Sequence, residues 1–187
     1  MAPSSSTVAS GDTILATQYN NLRSDVLDPT TGHNHNATDG RTLFSVYTRF
    51  VRKTAIETLN SNAVLQNDDH LFFSVGSSET WWIVGELDLS TNVTADFQMT
   101  FTTPTLAASF IAAELFPDGA VTPEQISGAI TATLAFTTPA ADDVVRFEAM
   151  IVTTGSGTVQ LQWAQRVSDA GGTSLQAGSW LAGMRMA

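Results

Sequence analysis

The feature that most constrains the fold is a period-two alternation of apolar and polar residues from about residue 43 almost to the end of the chain. Successive side chains of a β-strand point to opposite faces, so this alternation indicates strands with one buried face. The alternating segments are SVYTRFVRK, HLFFSVG, TWWIVGELDLS, ADFQMTFTTP, SGAITATLAFTTP, VVRFEAMIVTT, TVQLQWAQRVS and GSWLAGMRMA.

Short stretches of turn-forming residues separate these segments. They are NDD at 67–69, GSS at 76–78, GSG at 155–157 and DAGG at 169–172. Eight or so strands joined by tight turns over about 140 residues are typical of an all-β, antiparallel β-sandwich or jelly-roll-like domain.

The segment TLAASFIAAELFPDG, residues 105–119, fits two kinds of element. Its alanines permit a helix. Phe110, Ala112, Glu114 and Phe116 alternate with their neighbours as they would in a strand, and we therefore predict a strand.

The first part of the chain has a different pattern. A Ser- and Thr-rich arm is followed by TQYNNLRSDVLD at 17–28, where Tyr19, Leu22 and Val26 recur at helical spacing. An isolated helix of about three turns is marginal in water, so we expect it to be stabilised by docking on another surface. We assign the three apolar residues to anchoring or assembly.

Charge is also distributed unevenly along the chain. Residues 1–60 carry five basic and five acidic groups, whereas residues 61–187 carry three basic and thirteen acidic groups. Because the alternation begins near residue 43, we predict an N-terminal arm, helix and loop at 1–42 and a β-sandwich at 43–187. An acidic body repels phosphate backbones, so a nucleic-acid partner is not expected.

Composition excludes further classes. The chain has no cysteine, which rules out disulfides and thiolate chemistry. It also has no run of about 18 apolar residues that would predict a membrane span. Apolar residues make up 43% of the chain and charged residues 14%, as in a globular protein with a substantial core.

Two histidines, His33 and His35, lie in the polar stretch TGHNHNATDG at residues 31–40. In an extended segment, residues two apart point the same way, so both imidazoles could face one ion. A transition metal needs four to six ligands, which three chains meeting on a threefold axis would supply. The alternative is a polar loop whose histidines bond to backbone or solvent, and composition leaves both open.

The other candidates for catalysis are weak. Asp68, Asp69 and His70 resemble a fragment of an acid/base site, but we interpret Asn-Asp-Asp as a turn between two strands. Asp142-Asp143 is interpreted in the same way, as a turn at the entry to a strand. No G-x-S-x-G elbow and no glycine-rich phosphate loop occurs in the sequence. We expect no enzymatic activity.

The aromatic residues predict packing and at least one covered surface. Trp81 and Trp82 are adjacent, so in a strand they face opposite sides of the sheet. One fills the core, and the other is expected to be covered by a loop, a second layer or another subunit. Trp163 and Trp180 are interpreted as core residues in preference to a sugar-binding platform.

Two stretches resemble parts of known proteins. Residues 11–43, GDTILATQYNNLRSDVLDPTTGHNHNATDGRTL, resemble the N-terminal segments of virion proteins of tailed bacteriophages, where a short helix precedes an H-x-H element and an Asp-Gly turn. Residues 158–186, TVQLQWAQRVSDAGGTSLQAGSWLAGMRM, are similar to the closing strands of small phage β-domains found on capsids and tail fibres.

The resemblance implies a homotrimeric virion structural protein. It also implies that His33 and His35 hold a transition-metal ion on the threefold axis, although metal-binding fibre shafts often repeat H-x-H and this chain has it once. Our first expectation is a capsid decoration (cement) protein that binds the major capsid protein at the capsid surface and stabilises the assembled head. The alternative is a tail-fibre or receptor-binding protein that contacts the host surface. A free-standing carbohydrate-binding module or enzyme is a third, weaker reading, and no membrane partner is expected.

Overall fold

The computed structural model describes residues 48–117, 123–138 and 142–186, which form twelve β-strands and no helix. The strands are β1 (Thr48–Arg52), β2 (Glu57–Leu59), β3 (Gln66–Val75), β4 (Thr80–Ser90), β5 (Phe97–Thr102), β6 (Leu106–Pro117), β7 (Glu124–Gly128), β8 (Leu134–Phe136), β9 (Asp142–Thr153), β10 (Gly157–Ala164), β11 (Thr173–Leu175) and β12 (Trp180–Arg185).

The strands pair as one long antiparallel hairpin. Strand β6 pairs with β7, and outward from this pair β5 pairs with β8, β4 with β9, β3 with β10, β2 with β11 and β1 with β12. A second set of antiparallel pairs joins different levels of the hairpin: β4 with β11 and β12, β5 with β10, and β6 with β9. The long hairpin is thus rolled up on itself, which gives the jelly-roll form of a β-sandwich.

The two sheets differ in size. The large sheet has the order β1-β12-β4-β9-β6-β7, with β2 and β11 attached, and the small sheet has the order β3-β10-β5-β8. Aromatic rings of the two sheets meet in the core: the ring centroids of Phe73 and Trp81 lie 5.5 Å apart, and those of Phe101 and Phe147 lie 5.4 Å apart. The core is therefore a single apolar layer between the sheets.

Strand β4 shows how the alternating sequence produces this arrangement. Trp81, Ile83, Leu87 and Leu89 are buried, while Trp82, Val84, Glu86 and Asp88 face outward. At Gly85, the inward position is kept free of a side chain because a Cβ there would lie 2.6 Å from Cε1 of Phe147 and 2.7 Å from the carbonyl oxygen of Trp180.

Most of the expected elements are confirmed. The segment that permitted either helix or strand is β6, and the stretches at 76–78 and 169–172 fall between strands. Of the stretch at 155–157, residues 155 and 156 fall between strands and Gly157 begins β10. The segment SGAITATLAFTTP was expected to be one strand, but it contains the end of β7, a turn closed by a hydrogen bond from the amide of Ala132 to the carbonyl of Ala129, and β8. The three-residue strands β2 and β11 were not predicted.

The expectation of a turn at residues 67–69 is wrong. These residues lie inside β3, where the register against β10 shifts between Gln160 and Gln162. Oδ1 of Asp68 accepts hydrogen bonds from the amides of His70 and Leu71. A side chain that satisfies two amides in this way supports a bulge as well as it supports a turn.

The arm, the helix expected at 17–28 and the boundary expected at 42/43 lie outside the described residues. Within the described part of the chain, no helix is long and apolar enough to cross a membrane.

Candidate functional site: the outward face of the large sheet

The outward face of the large sheet carries a continuous line of large apolar side chains. Met184 of β12 lies opposite Trp82 of β4, Trp82 lies opposite Met150 of β9, and Met150 lies opposite Phe110 of β6. Side chains directly opposite each other on neighbouring strands are in contact range. We call these four residues the apolar row.

All four members of the apolar row are substantially exposed. The exposed fractions are 38% for Met184, 41% for Trp82, 53% for Met150 and 50% for Phe110. Phe50 of β1, opposite Ala182 in the next row, is 66% exposed and extends the apolar surface. A contiguous exposed patch of this kind marks an interaction site more often than scattered apolar residues do.

The outward face of the small sheet has the opposite character. Polar residues Ser74, Thr158, Gln160 and Thr102 occupy neighbouring outward positions of β3, β10 and β5. Phe72, 44% exposed, is the large apolar side chain among them. The small sheet therefore has an ordinary solvated face, and the apolar row is specific to the large sheet.

A charged row lies four residues further along the same strands of the large sheet. Trp180, Glu86, Arg146 and Glu114 are opposite one another in order. Nε of Arg146 donates to Oε2 of Glu86 over 2.7 Å, and its guanidinium lies 5.0 Å from the centroid of the Phe116 ring.

A shallow groove of about 480 Å³ is lined by the charged row and by residues of the row between it and the apolar row, including Val84, Ala112 and Glu148. Glu86, Glu114 and Glu148 outnumber Arg146 in this lining. The ring of Trp180 is stacked on Phe50, with centroids 5.8 Å apart. The face thus combines an apolar row with a net acidic groove.

A carboxylate fixes the end of the sheet where Met184 lies. Oε2 of Glu79 accepts hydrogen bonds from Nε1 of Trp81 at 2.8 Å and from the amide of Gly76 at 2.6 Å, and Oε1 accepts one from Arg185 at 2.7 Å. Burial would raise the pKa of Glu79, but these hydrogen bonds and the charges of Arg185 and Arg49 outweigh burial and hold the pKa below its ordinary value of 4.5.

Asp88 lies on the same outward face, two residues beyond Glu86 on β4. Its pKa is raised above the ordinary value of 3.8, first by burial and then by the negative charge of Glu86.

The predictions made for individual residues from the sequence can be compared with their positions in the structure. Trp81 is buried and Trp82 is exposed, as their adjacency predicted. Trp163 is a core residue, stacked on Phe97, whereas Trp180 is half-buried on the outward face. Tyr19, Leu22, Val26, His33 and His35 lie outside the described residues, so the anchoring and metal assignments stay predictions.

The acidic pairs were interpreted as turns, and both lie in strands. Asp68 and Asp69 are in β3, and Asp142 and Asp143 are the first two residues of β9. Within the described ranges, no group of three or more His, Asp or Glu side chains is placed to hold a metal ion.

Sequence reasoning missed three members of the apolar row: Phe110, Met150 and Met184. A signal was present, because each is an apolar residue in the outward phase of its alternating strand. That they line up with Trp82 depends on the register of four strands that are far apart in the sequence.

No protein-family model and no curated protein matches the chain. Among solved structures, one match is the structure of infectious bursal disease virus, Gt strain, with 10% identity and a TM-score of 0.18. The match covers 86% of this chain and 43% of the viral chain, so this chain spans less than half the length of the viral one. A TM-score this low supports no conclusion about fold or function.

Proposed function

We propose that this chain is a non-enzymatic structural protein that binds another protein through the outward face of its large sheet. The observation that carries the proposal is the apolar row, in which four large side chains from four neighbouring strands are between 38% and 53% exposed. Covering them would remove apolar surface from water and stabilise the complex by roughly 1 kcal/mol for each half-exposed large side chain.

The charges of this face favour a partner with basic groups around an apolar patch. Glu86, Glu114 and Glu148 stand beside the apolar row with Arg146, which is already paired with Glu86. A second acidic body placed on the same face would bring like charges together. The occupant that fits is therefore a different protein, with Arg or Lys side chains bordering an apolar surface.

The more specific proposal is a trimeric capsid decoration protein of a tailed phage, located on the capsid surface. The resemblance of residues 11–43 and 158–186 to phage virion proteins supports it, and jelly rolls are a recurrent architecture of viral capsid proteins. On this proposal the major capsid protein is the occupant of the sheet face. Residues 1–42, with Tyr19, Leu22 and Val26, anchor and trimerise the chain.

A tail-fibre or receptor-binding protein is the alternative, and the polar lining of the groove is the feature that supports it. A groove lined by Trp180, Arg146 and several carboxylates offers hydrogen-bonding partners and one aromatic ring to a host glycan. The stacking of Phe50 on Trp180 partly covers that ring, which makes the groove a less suitable sugar platform.

The apolar row can be tested with one double variant and a matched control. Phage heads that lack this protein are mixed with the wild type, with the Trp82→Ser, Met150→Ser double variant, or with Phe72→Ser. Phe72 is as exposed as Trp82 but lies on the small sheet. We expect the wild type and Phe72→Ser to co-sediment with the heads and the double variant to bind at least about tenfold more weakly.

Equal binding of all three proteins would show that the sheet face is not the docking surface. Binding of the isolated wild type to host cells, with none to heads, would favour the tail-fibre alternative. Copy number separates the two as well, because a decoration protein is present in hundreds of copies on each head. Sedimentation equilibrium of the full chain is expected to give three times the mass of the chain, and a monomer would contradict the trimer.

A further inference from the structure

The single lysine of the chain is completely buried between two carboxylates. Nζ of Lys53 lies 2.6 Å from Oδ2 of Asp68 and 2.7 Å from Oε2 of Glu57. The side chains of Lys53 and Asp68 are 0% exposed, and that of Glu57 is 22% exposed. Lysine is among the residues least often fully buried, so its place here calls for a physical reason.

An ordinary ion pair is a costly explanation for this cluster. Removing an ammonium and a carboxylate from water carries a large desolvation cost, and a well-packed apolar pair of similar volume is often at least as stable. Condensation of the two groups into an amide would remove both charges from the interior. The contacts of Asp68 are arranged for that reaction.

The carboxyl group of Asp68 is held at both oxygens. Oδ1 accepts hydrogen bonds from the amides of His70 and Leu71, each at 2.8 Å. Oδ2, the oxygen beside Lys53, also accepts a hydrogen bond from Nε1 of Trp163 at 3.3 Å. Two fixed amide donors on one oxygen form the arrangement that stabilises a developing oxyanion when a nucleophile attacks a carbonyl carbon.

We propose that Lys53 and Asp68 form an intramolecular isopeptide bond, with Glu57 as the catalytic proton carrier. Nζ attacks Cγ of Asp68 and forms the new C–N bond, while negative charge develops on Oδ1 against the amides of His70 and Leu71. The bond from Cγ to Oδ2 breaks, and Oδ2 leaves as water. The ammonium and the carboxylate together contain all atoms of the amide and one water, so no other reactant is needed.

Glu57 is placed to move the protons in this reaction. It accepts one proton from Nζ over 2.7 Å, which frees the nitrogen lone pair, and passes this proton to Oδ2. After the C–N bond has formed, it carries a second proton from the nitrogen to Oδ2, so that this oxygen leaves as water and the nitrogen keeps the single hydrogen of the amide. Its partly exposed side chain also lies on the solvent side of the buried pair, where water can leave. The product links the residue that directly follows β1, in the large sheet, to β3 in the small sheet.

The test is the intact mass of the purified full chain. We expect the wild type, after folding at neutral pH, to weigh one water molecule less than its sequence requires. Chymotrypsin cuts between the two residues, at Leu59 and Leu65, and the peptides carrying Lys53 and Asp68 are expected to remain joined. A wild-type mass equal to the full sequence mass after prolonged incubation would overturn the proposal.

One reagent and one variant separate this bond from other losses of water. Asp39-Gly40 and Asp118-Gly119 can each lose water by cyclising to a succinimide, which hydroxylamine opens, whereas the isopeptide amide resists it. Lys53→Arg keeps a cation but removes the nucleophile, so its measured mass is expected to equal the mass of its full sequence. A loss of water that persists in Lys53→Arg and resists hydroxylamine would overturn the proposal.

Glu57→Gln keeps both reacting groups and removes the proton carrier. We expect this variant to fold, as judged by circular dichroism, and to show its full mass or a much slower loss of water. Loss at the wild-type rate would overturn the role of Glu57 as the catalytic residue.

Discussion

Trp81 and Trp82 are neighbours in β4, yet their indole rings lie on opposite sides of the large sheet. Trp81 is 1% exposed and packs on Phe73, whereas Trp82 is 41% exposed in the middle of the apolar row. Trp81 therefore stabilises the sandwich, and Trp82 is part of the surface that we propose for docking.

This division predicts different effects for the same substitution. Trp81→Phe removes buried ring atoms and the hydrogen bond to Glu79, so we expect the free energy of unfolding to fall by about 1–3 kcal/mol. Trp82→Phe removes neither, and we expect a change within about 0.5 kcal/mol. Urea unfolding followed by circular dichroism measures both, and equal losses would contradict the assignment of Trp82 to a free surface.

A second pair of variants tests why position 85 is a glycine. A Cβ at this position would lie 2.6 Å from Cε1 of Phe147 and 2.7 Å from the backbone oxygen of Trp180, which cannot move away easily. We expect Gly85→Ala to destabilise the protein by about 1–3 kcal/mol. Gly128→Ala is the control in another strand, because its nearest neighbour, Ala132, would lie 3.6 Å away. A melting temperature of Gly85→Ala equal to that of the control would show that the sheet repacks freely.

His33 and His35 give a prediction about metal removal. If three chains hold an ion at this site, a chelator and the His33→Ala, His35→Ala double variant should each lower the melting temperature of the trimer. The chelator should then have no further effect on the double variant. An unchanged melt in both experiments would leave the stretch TGHNHNATDG as a polar loop.

The sequence predicted those parts of the fold that depend on local alternation. Strand β4 coincides with the segment TWWIVGELDLS, because each inward position from Trp81 to Leu89 is apolar or glycine. Strands β2 and β11 are three residues long, which is too short for a period to be recognised. Asp68 was misread because a side chain that caps backbone amides has the same local signature in a turn and in a bulge.

The candidate sites depend on contacts between distant parts of the chain. The apolar row needs the register of β12, β4, β9 and β6. The cluster of Lys53 needs residues 15 positions apart to meet, at a point where the register of β3 against β10 is irregular. The sequence indicated through Trp82 that a covered surface exists. It did not indicate which strands build it.

The lowered pKa of Glu79 predicts how the free energy of unfolding changes in acid. Its pKa is lowered in the folded protein, so the folded state binds its proton more weakly than the unfolded state does. The stabilisation is therefore complete above the ordinary value of 4.5 and is lost as the pH falls through the lower, folded value. We expect Glu79→Gln to lose on the order of 1–3 kcal/mol at pH 7, since hydrogen bonds to a charged group are lost. The difference from the wild type should shrink below pH 4.5 in urea unfolding at a series of pH values.

Asp88 provides the control of opposite sign. Its raised pKa means that the folded state favours the protonated form, so stability falls as the pH rises from 3.8 through the folded value. Asp88→Asn removes this cost, and we expect the variant to be more stable than the wild type at pH 7 and equal to it below pH 3.8. The two variants should therefore deviate from the wild type in opposite directions at neutral pH and converge with it in acid. If both variants were more stable than the wild type, the hydrogen bonds around Glu79 would not offset the cost of burying its charge. If both were less stable, the charge of Asp88 would not be destabilising.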